Sequence, residues 1–275
     1  MQSADILSRS SRPPDLTFSY GRLADHVADL WLPPAEAPRQ GGQWPLILFL
    51  HGGFWRAAYD RRHAGPLAEA LAADGLAVCC PEYRRVGQEG GGWPGTFDDI
   101  RSAVAVLPAA VADATERRVD GARVVLAGHS AGGHLALWAA SRLASMPKPG
   151  AGAVVSLAGV CDLAGCYRMG LGDNAAGDLM GGGPGQFPDR YAVADPSLAL
   201  PLGRRLSLVH GTSDQRVPWE QSRDFAERAR AAGDRVSCVL LPGVGHFELI
   251  DPLSGAWPAV QTEFRAAADG LAHDS

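Results

Sequence analysis

The sequence predicts an α/β protein: a mainly parallel central sheet with helices on both faces. Three observations carry this. Apolar runs of strand length alternate with helix-patterned segments along most of the 275 residues. Residues 45–50 (PLILFL) are apolar at every position, as a strand covered on both faces must be. Four chemistry-bearing stretches, at residues 51–54, Ser130, Asp214 and His246, each fall just after an expected strand. Open α/β sheets place their sites there, at the carboxyl ends of the strands.

Residues 1–15 are polar, with Pro13-Pro14, and read as a loose N-terminal arm; residues 16–275 read as a single domain. Residues 16–18 and 27–31 are short strands around a turn at Gly21, and 33–43 are a loop. After the strand at 45–50, residues 61–73 form a helix with Leu67 and Leu71 four apart, stopped at Asp74-Gly75. Residues 76–80 are the next strand, closed by Pro81. Thr96 is the expected cap of a helix with Asp98 and Asp99 in its first turn. Ile100, Val104, Leu107 and Val111 make its apolar stripe, and Pro108 should kink or break it. Residues 124–126 are a strand, 134–143 a helix and 153–157 a strand. Residues 160–203 hold glycine runs, Pro184, Pro188, Pro196 and Pro201, and little periodicity; this excursion is a lid or a long loop over the site. The pattern resumes with a strand at 206–210, a helix at 219–232 ending at Gly233, a strand at 236–241 and a helix at 255–271.

The formal charge is −5 with no block of like charges, which excludes nucleic acid as the expected partner. Five cysteines form an odd set without metal-type spacing to histidine. The first fifteen residues lack an apolar core of signal-peptide length, and no apolar run approaches membrane-spanning length. These features predict a reduced, cytoplasmic chain with no membrane partner.

The functional centre is expected in ARVVLAGHSAGGHL, residues 122–135. A strand, a tight turn through Gly128-His129-Ser130-Ala131-Gly132 and a helix are the context of a nucleophile elbow. Gly-x-Ser-x-Gly alone would arise by chance in roughly one chain in four of this composition. The partners of a serine nucleophile therefore decide the matter. A serine hydroxyl needs a base within reach, and the base needs a carboxylate to fix its tautomer. Ser130, Asp214 and His246 supply nucleophile, acid and base in that chain order. His246 stands in a Gly-x-Gly-His loop after the last strand. Of the other histidines, His51 is expected to brace the glycine loop, and His129 and His134 to be structural. His210 precedes the acid, and His26, His63 and His273 read as surface residues. Asp162 and Asp251 are rival acids. Main-chain N–H groups of Gly53, Phe54 and Ala131 are the expected oxyanion hole. The chemistry is acyl transfer through Ser130 and requires no metal or organic cofactor.

These motifs together resemble the α/β-hydrolase fold, from about residue 16 to 271. Within that superfamily, His51-Gly52-Gly53-Phe54-Trp55 resembles the corresponding loop of arylformamidases, and departs at Phe54 from the HGGG loop of hormone-sensitive-lipase-type carboxylesterases. Glu82-Tyr83-Arg84 and residues 94–98 are similar to the same esterase and formamidase group. Residues 211–214 with Val217-Pro218 resemble the acid loop of esterases and prolyl-oligopeptidase-type peptidases. The resemblance implies an α/β-hydrolase with a lid over residues 160–203. It further implies a serine hydrolase that cleaves a small carboxylic ester or N-formyl amide. A prolyl-oligopeptidase-like peptidase and a non-catalytic ligand-binding protein are the alternatives. Trp55, Trp93, Tyr167, Phe187, Trp219 and Phe247, with Phe54 and Met169, are the candidate substrate contacts.

Overall fold

The chain enters the sheet at one edge, where β1 (Leu16–Ser19) pairs antiparallel with β2 (Val27–Trp31). The structure, a computed structural model, describes residues 3–39, 41–143 and 151–271. Next come β3 (Trp44–Leu50), β4 (Ala77–Pro81), β5 (Val119–His129), β6 (Ala151–Leu157), β7 (Arg205–Gly211) and β8 (Arg235–Leu241). Their order across the sheet is β1-β2-β4-β3-β5-β6-β7-β8. The pairs β1–β2 and β2–β4 are antiparallel, and every pair from β4 to β8 is parallel.

The strands divide the core by side-chain alternation. Leu46, Leu48 and Leu50 of β3 pack into one cluster with α3 (Gly95–Ala114), α4 (Ala131–Leu143) and α8 (Glu220–Ala232). Ile47 and Phe49 pack into the other, with α2 (Gly65–Ala73) and α9 (Trp257–Gly270). A strand loaded on both faces must be apolar throughout, which is the signal residues 45–50 carry.

Several local expectations are corrected. Residues 61–64 form a 3-10 turn ahead of α2. Pro108 lies inside an unbroken α3, whose Ile100, Ala103, Leu107 and Val111 are all buried against the sheet and hold both halves in line. Thr96 does not cap that helix. Its hydroxyl donates to the Arg84 carbonyl (2.6 Å) and accepts from the Gly92 N–H (3.1 Å). The N-terminal segment is not loose either. Residues Ser3–Leu7 form α1, with Ile6 buried. Arg9 grips the buried carboxylate of Asp251 at 2.9 Å, and the Arg12 N–H reaches Glu69 at 2.9 Å.

Residues 160–203 fold into α5 (Leu163–Arg168), α6 (Leu171–Met180) and α7 (Pro188–Ala194). Asp162 caps α5 by accepting the Gly165 N–H at 2.6 Å, so this rival acid is spent on structure. Arg56, just after β3, ties the excursion down through the Asp173 carbonyl (2.8 Å) and the Asp178 carboxylate (2.7 Å).

Candidate active site

Ser130 sits between the end of β5 and the start of α4 with φ +56°, a left-handed conformation that costs energy for a residue with a side chain. The surroundings impose it. The Ser130 N–H donates to the Leu157 carbonyl at 2.8 Å, and its own carbonyl accepts from His134 N–H at 3.1 Å. Strand and helix approach so closely that a Cβ on Gly132 would lie 1.9 Å from the Leu50 carbonyl oxygen. Only glycine fits there.

Beyond β7, the Asp214 side chain is fully buried. Burial alone would raise its pKa. Hydrogen bonds from His210 and His246 outweigh that and hold the carboxyl well below the usual carboxylate range. His246 Nδ1 donates to Asp214 Oδ2 at 2.6 Å, and His210 Nε2 donates to the same oxygen at 3.1 Å. The other oxygen, Oδ1, accepts from the N–H groups of Arg216 (2.7 Å) and Val217 (3.0 Å). His210 is oriented in turn by Ser222, whose hydroxyl lies 2.7 Å from Nδ1. Sequence reasoning assigns His210 no role; its i, i+4 spacing to Asp214 across a strand end is the signal that could have done so.

The glycine loop after β3 turns through three consecutive positive φ angles: Gly53 (+113°), Phe54 (+51°) and Trp55 (+56°). Among the described residues, the N–H groups of Gly53, Phe54 and Ala131 have no carbonyl partner. His51 braces this loop. Its Nε2 lies 2.8 Å from Glu82 Oε1, its Nδ1 lies 2.8 Å from the Gly52 carbonyl, and its ring stacks on Tyr83 at 4.4 Å. Tyr83 donates its hydroxyl to the His51 carbonyl at 2.8 Å. Burial pushes the Glu82 carboxyl up, but His51, Arg85 and the Tyr83 N–H pull it down to about 2.

Ser130 and His246 open on one cleft of about 260 Å³, together with Gly53, Phe54, His129 and Phe247. The other candidate contacts lie elsewhere. Trp55 is fully buried, edge-on to His134 at 5.2 Å, because the left-handed loop turns its ring into the core. Trp93 packs on Phe97, Tyr167 on Tyr191, Phe187 under Arg190 and Trp219 under Arg223. None of these five, nor Met169, lines the cleft. The excursion at 160–203 contributes no described lining residue; a Cβ on its Gly172 would touch the Phe54 ring at 2.6 Å, so it backs the glycine loop instead of covering the cleft.

The cleft is completed by Leu7, Tyr59, His63 and Arg216, which the sequence did not single out. His63 is half-buried in the cleft wall. Burial and the nearby His51 lower its pKa to about 4. His26 is likewise mostly covered and bonds Asp99 at 2.9 Å. His273 lies outside the described residues. Asp251, the second rival acid, is paired with Arg9. A larger depression of about 680 Å³ lies at the opposite ends of β5 to β8 and holds no residue of this constellation.

No helix among the described residues is long and apolar enough to cross a membrane. All five cysteines are free thiols.

The chain is similar to the isoprenylcysteine alpha-carbonyl methylesterase ICME of Arabidopsis thaliana, 27% identical over 86% of this chain and 57% of the relative. It is similar to esterase LipC of Mycobacterium tuberculosis, 29% identical over 84% of this chain and 59% of the relative. The chain thus spans less than two thirds of the length of these relatives. Among solved structures, esterase B of Lactobacillus rhamnosis superposes with a TM-score of 0.76 at 22% identity, covering 96% of this chain and 89% of that one. The fold is that of the α/β-hydrolases. Residues 29–229 match the BD-FAE family model, and the chain belongs to that family.

Proposed function

We propose that the protein is a serine esterase that hydrolyses small carboxylic esters through an acyl-enzyme on Ser130. The observation that carries this is the 2.6 Å bond from His246 Nδ1 to the buried, ionised Asp214, in the cleft onto which Ser130 opens. With Nδ1 committed to Asp214, Nε2 is the basic nitrogen. It takes the Ser130 proton as Oγ attacks the ester carbonyl. The N–H groups of Gly53, Phe54 and Ala131 receive the developing oxyanion, and the N-terminus of α4 adds positive potential there. The tetrahedral intermediate collapses. The protonated His246 gives its proton to the leaving alkoxide, so an alcohol departs and the acyl group stays on Ser130. Water then gives a proton to His246 and attacks the acyl carbon. Collapse releases the carboxylic acid and returns the proton to Ser130.

The esterase names of the sequence relatives support the ester as substrate, and the 260 Å³ cleft suits a short chain. An N-formyl amide would follow the same steps; of Phe54 and Trp55, the pair expected at its aryl side, Phe54 lines the cleft and Trp55 is in the core. The test is kcat/KM for 4-nitrophenyl acetate and butyrate beside an N-formyl arylamide, with Ser130→Ala as control and fluorophosphonate labelling of the wild type. Ester turnover should dominate, label should attach to Ser130, and the variant should lose about 10⁴-fold or more. Ester turnover that persists in Ser130→Ala, or a folded wild type that takes no label, would overturn the proposal.

A further inference from the structure

Resting on the esterase reading, we infer that the substrate carries an anionic group, a carboxylate or its equivalent, that Arg216 recognises at the cleft. Leu7, Phe54, Tyr59 and Phe247 line the cleft beside the reacting atoms. Arg216 is the only Lys, Arg, Asp or Glu among its described lining residues.

Two features set this arginine apart. Its main chain is fixed, because its N–H is one of the groups clamped on Asp214 Oδ1 at 2.7 Å. Its side chain is exposed and, among the described residues, makes no ion pair or hydrogen bond. Arg56, Arg61 and Arg84 meet carboxylates at 2.7, 2.7 and 2.6 Å; Arg22, Arg204 and Arg205 also make no side-chain ion pair or hydrogen bond among the described residues, but none of them lines the cleft. A guanidinium on a main chain anchored beside the acid, lining the cleft and without a partner among the described residues, is a fork ready for a carboxylate. Of the three histidines on the wall, His246 is the proposed base, and the other two do not compete for that anion. Burial lowers the pKa of His63 to about 4 and that of His129 well below the usual histidine range, so both stay neutral near pH 7.

The anion could belong to the acyl group or to the leaving alcohol, and two matched pairs separate these. On the acyl side, 4-nitrophenyl hemisuccinate is compared with 4-nitrophenyl butyrate. On the alcohol side, 4-acetoxybenzoate is compared with 4-methylphenyl acetate. Each rate is divided by the spontaneous hydrolysis rate of the same ester. In one pair the anionic member should be preferred, and Arg216→Gln should lower the anionic-to-neutral ratio of kcat/KM by about ten- to a hundredfold, the worth of one charge-assisted hydrogen bond. Arg216→Glu should lower it further, and added salt should weaken the wild-type preference. Arg216 is exposed, so neither variant removes a packed side chain. A preference in neither pair, or one that survives both variants, overturns the inference. If the neutral esters are turned over and lost in Ser130→Ala while the anionic ones gain nothing, the esterase reading stands and only this inference falls. If no ester is turned over, both fall.

Discussion

His129 donates its Nε2–H to the main-chain carbonyl of His246 at 2.9 Å, and the two rings lie 4.5 Å apart. The residue next to the proposed nucleophile therefore holds the loop that carries the proposed base. Burial is the main cause that keeps the His129 pKa well below the usual histidine range, with the neighbouring His246 adding to it. A neutral His129 remains the fixed donor that a carbonyl requires. His129→Phe keeps the ring volume and removes the donor. It should lower kcat by about ten- to a hundredfold with little change in KM, since a buried carbonyl is left unpaired and the base loosens. His129→Gln should recover part of the loss. Steady-state kinetics check this, and a wild-type rate in His129→Phe beside a loss in His129→Gln would mean the ring alone matters.

Asp214→Asn should cost on the order of 10⁴-fold in kcat, because an amide can donate to His246 Nδ1 and favour the unproductive tautomer. His210→Phe should cost less, about tenfold, because it leaves the His246 bond in place and removes one of the hydrogen bonds that keep the carboxyl ionised. Because Ser222 and Val217 also lose a partner, the His210 variant should melt earlier as well. A His210 effect on kcat as large as that of Asp214→Asn would make His210 the more important neighbour.

The legible part of this molecule is the part where local and long-range physics agree. Residues 45–50 had to be apolar because both faces of β3 are covered, and Gly132 had to be glycine because α4 begins on top of the Leu50 carbonyl. Those constraints are written in residue type. Residues 160–203 were illegible because their helices are short and held by caps and long-range ties, such as Asp162 on Gly165 and Arg56 on Asp178. Trp55 departs from its expected place for a related reason. Its direction depends on a left-handed backbone, not on its neighbours in sequence. The cleft contacts Leu7 and Tyr59 carry no local mark at all. Leu7 is brought there by α1 and by the reach of Arg9 to Asp251.

Stability should fall in two acid stages. His134 is fully buried, and desolvation lowers its pKa from 6.5 to about 4. Between those values the unfolded chain takes up a proton that the folded chain refuses, so stability falls as pH drops through that window, by about 3 kcal/mol for this residue. His63 acts in the same direction over the same range. Glu82 has the opposite charge type. Its folded pKa is lowered from 4.5 to about 2, so its contribution is complete above about 4.5 and is lost as pH falls toward 2. Urea midpoints between pH 7.5 and 3, followed by tryptophan fluorescence, should decline across both windows. A flat midpoint from pH 7 to 4.5 would count against the buried neutral histidines.

Phe54 and Trp55 are adjacent, yet the structure gives them opposite duties, and mutation should separate them. Phe54 lines the cleft and is only partly buried, with its ring against the turn at Gly172. Trp55 has no exposed surface and packs on His134 beneath the loop. Phe54→Ala should raise KM for small esters several-fold while changing the melting temperature little. Trp55→Ala empties a large site in the core and should cost about 3–5 kcal/mol of stability. The loop that carries the proposed oxyanion donors rests on that ring, so kcat should fall with it. Trp55→Phe refills most of the volume and should restore most of both. Were Trp55 a substrate contact instead, Trp55→Ala would raise KM and leave stability intact, and the same pair of measurements would reveal it.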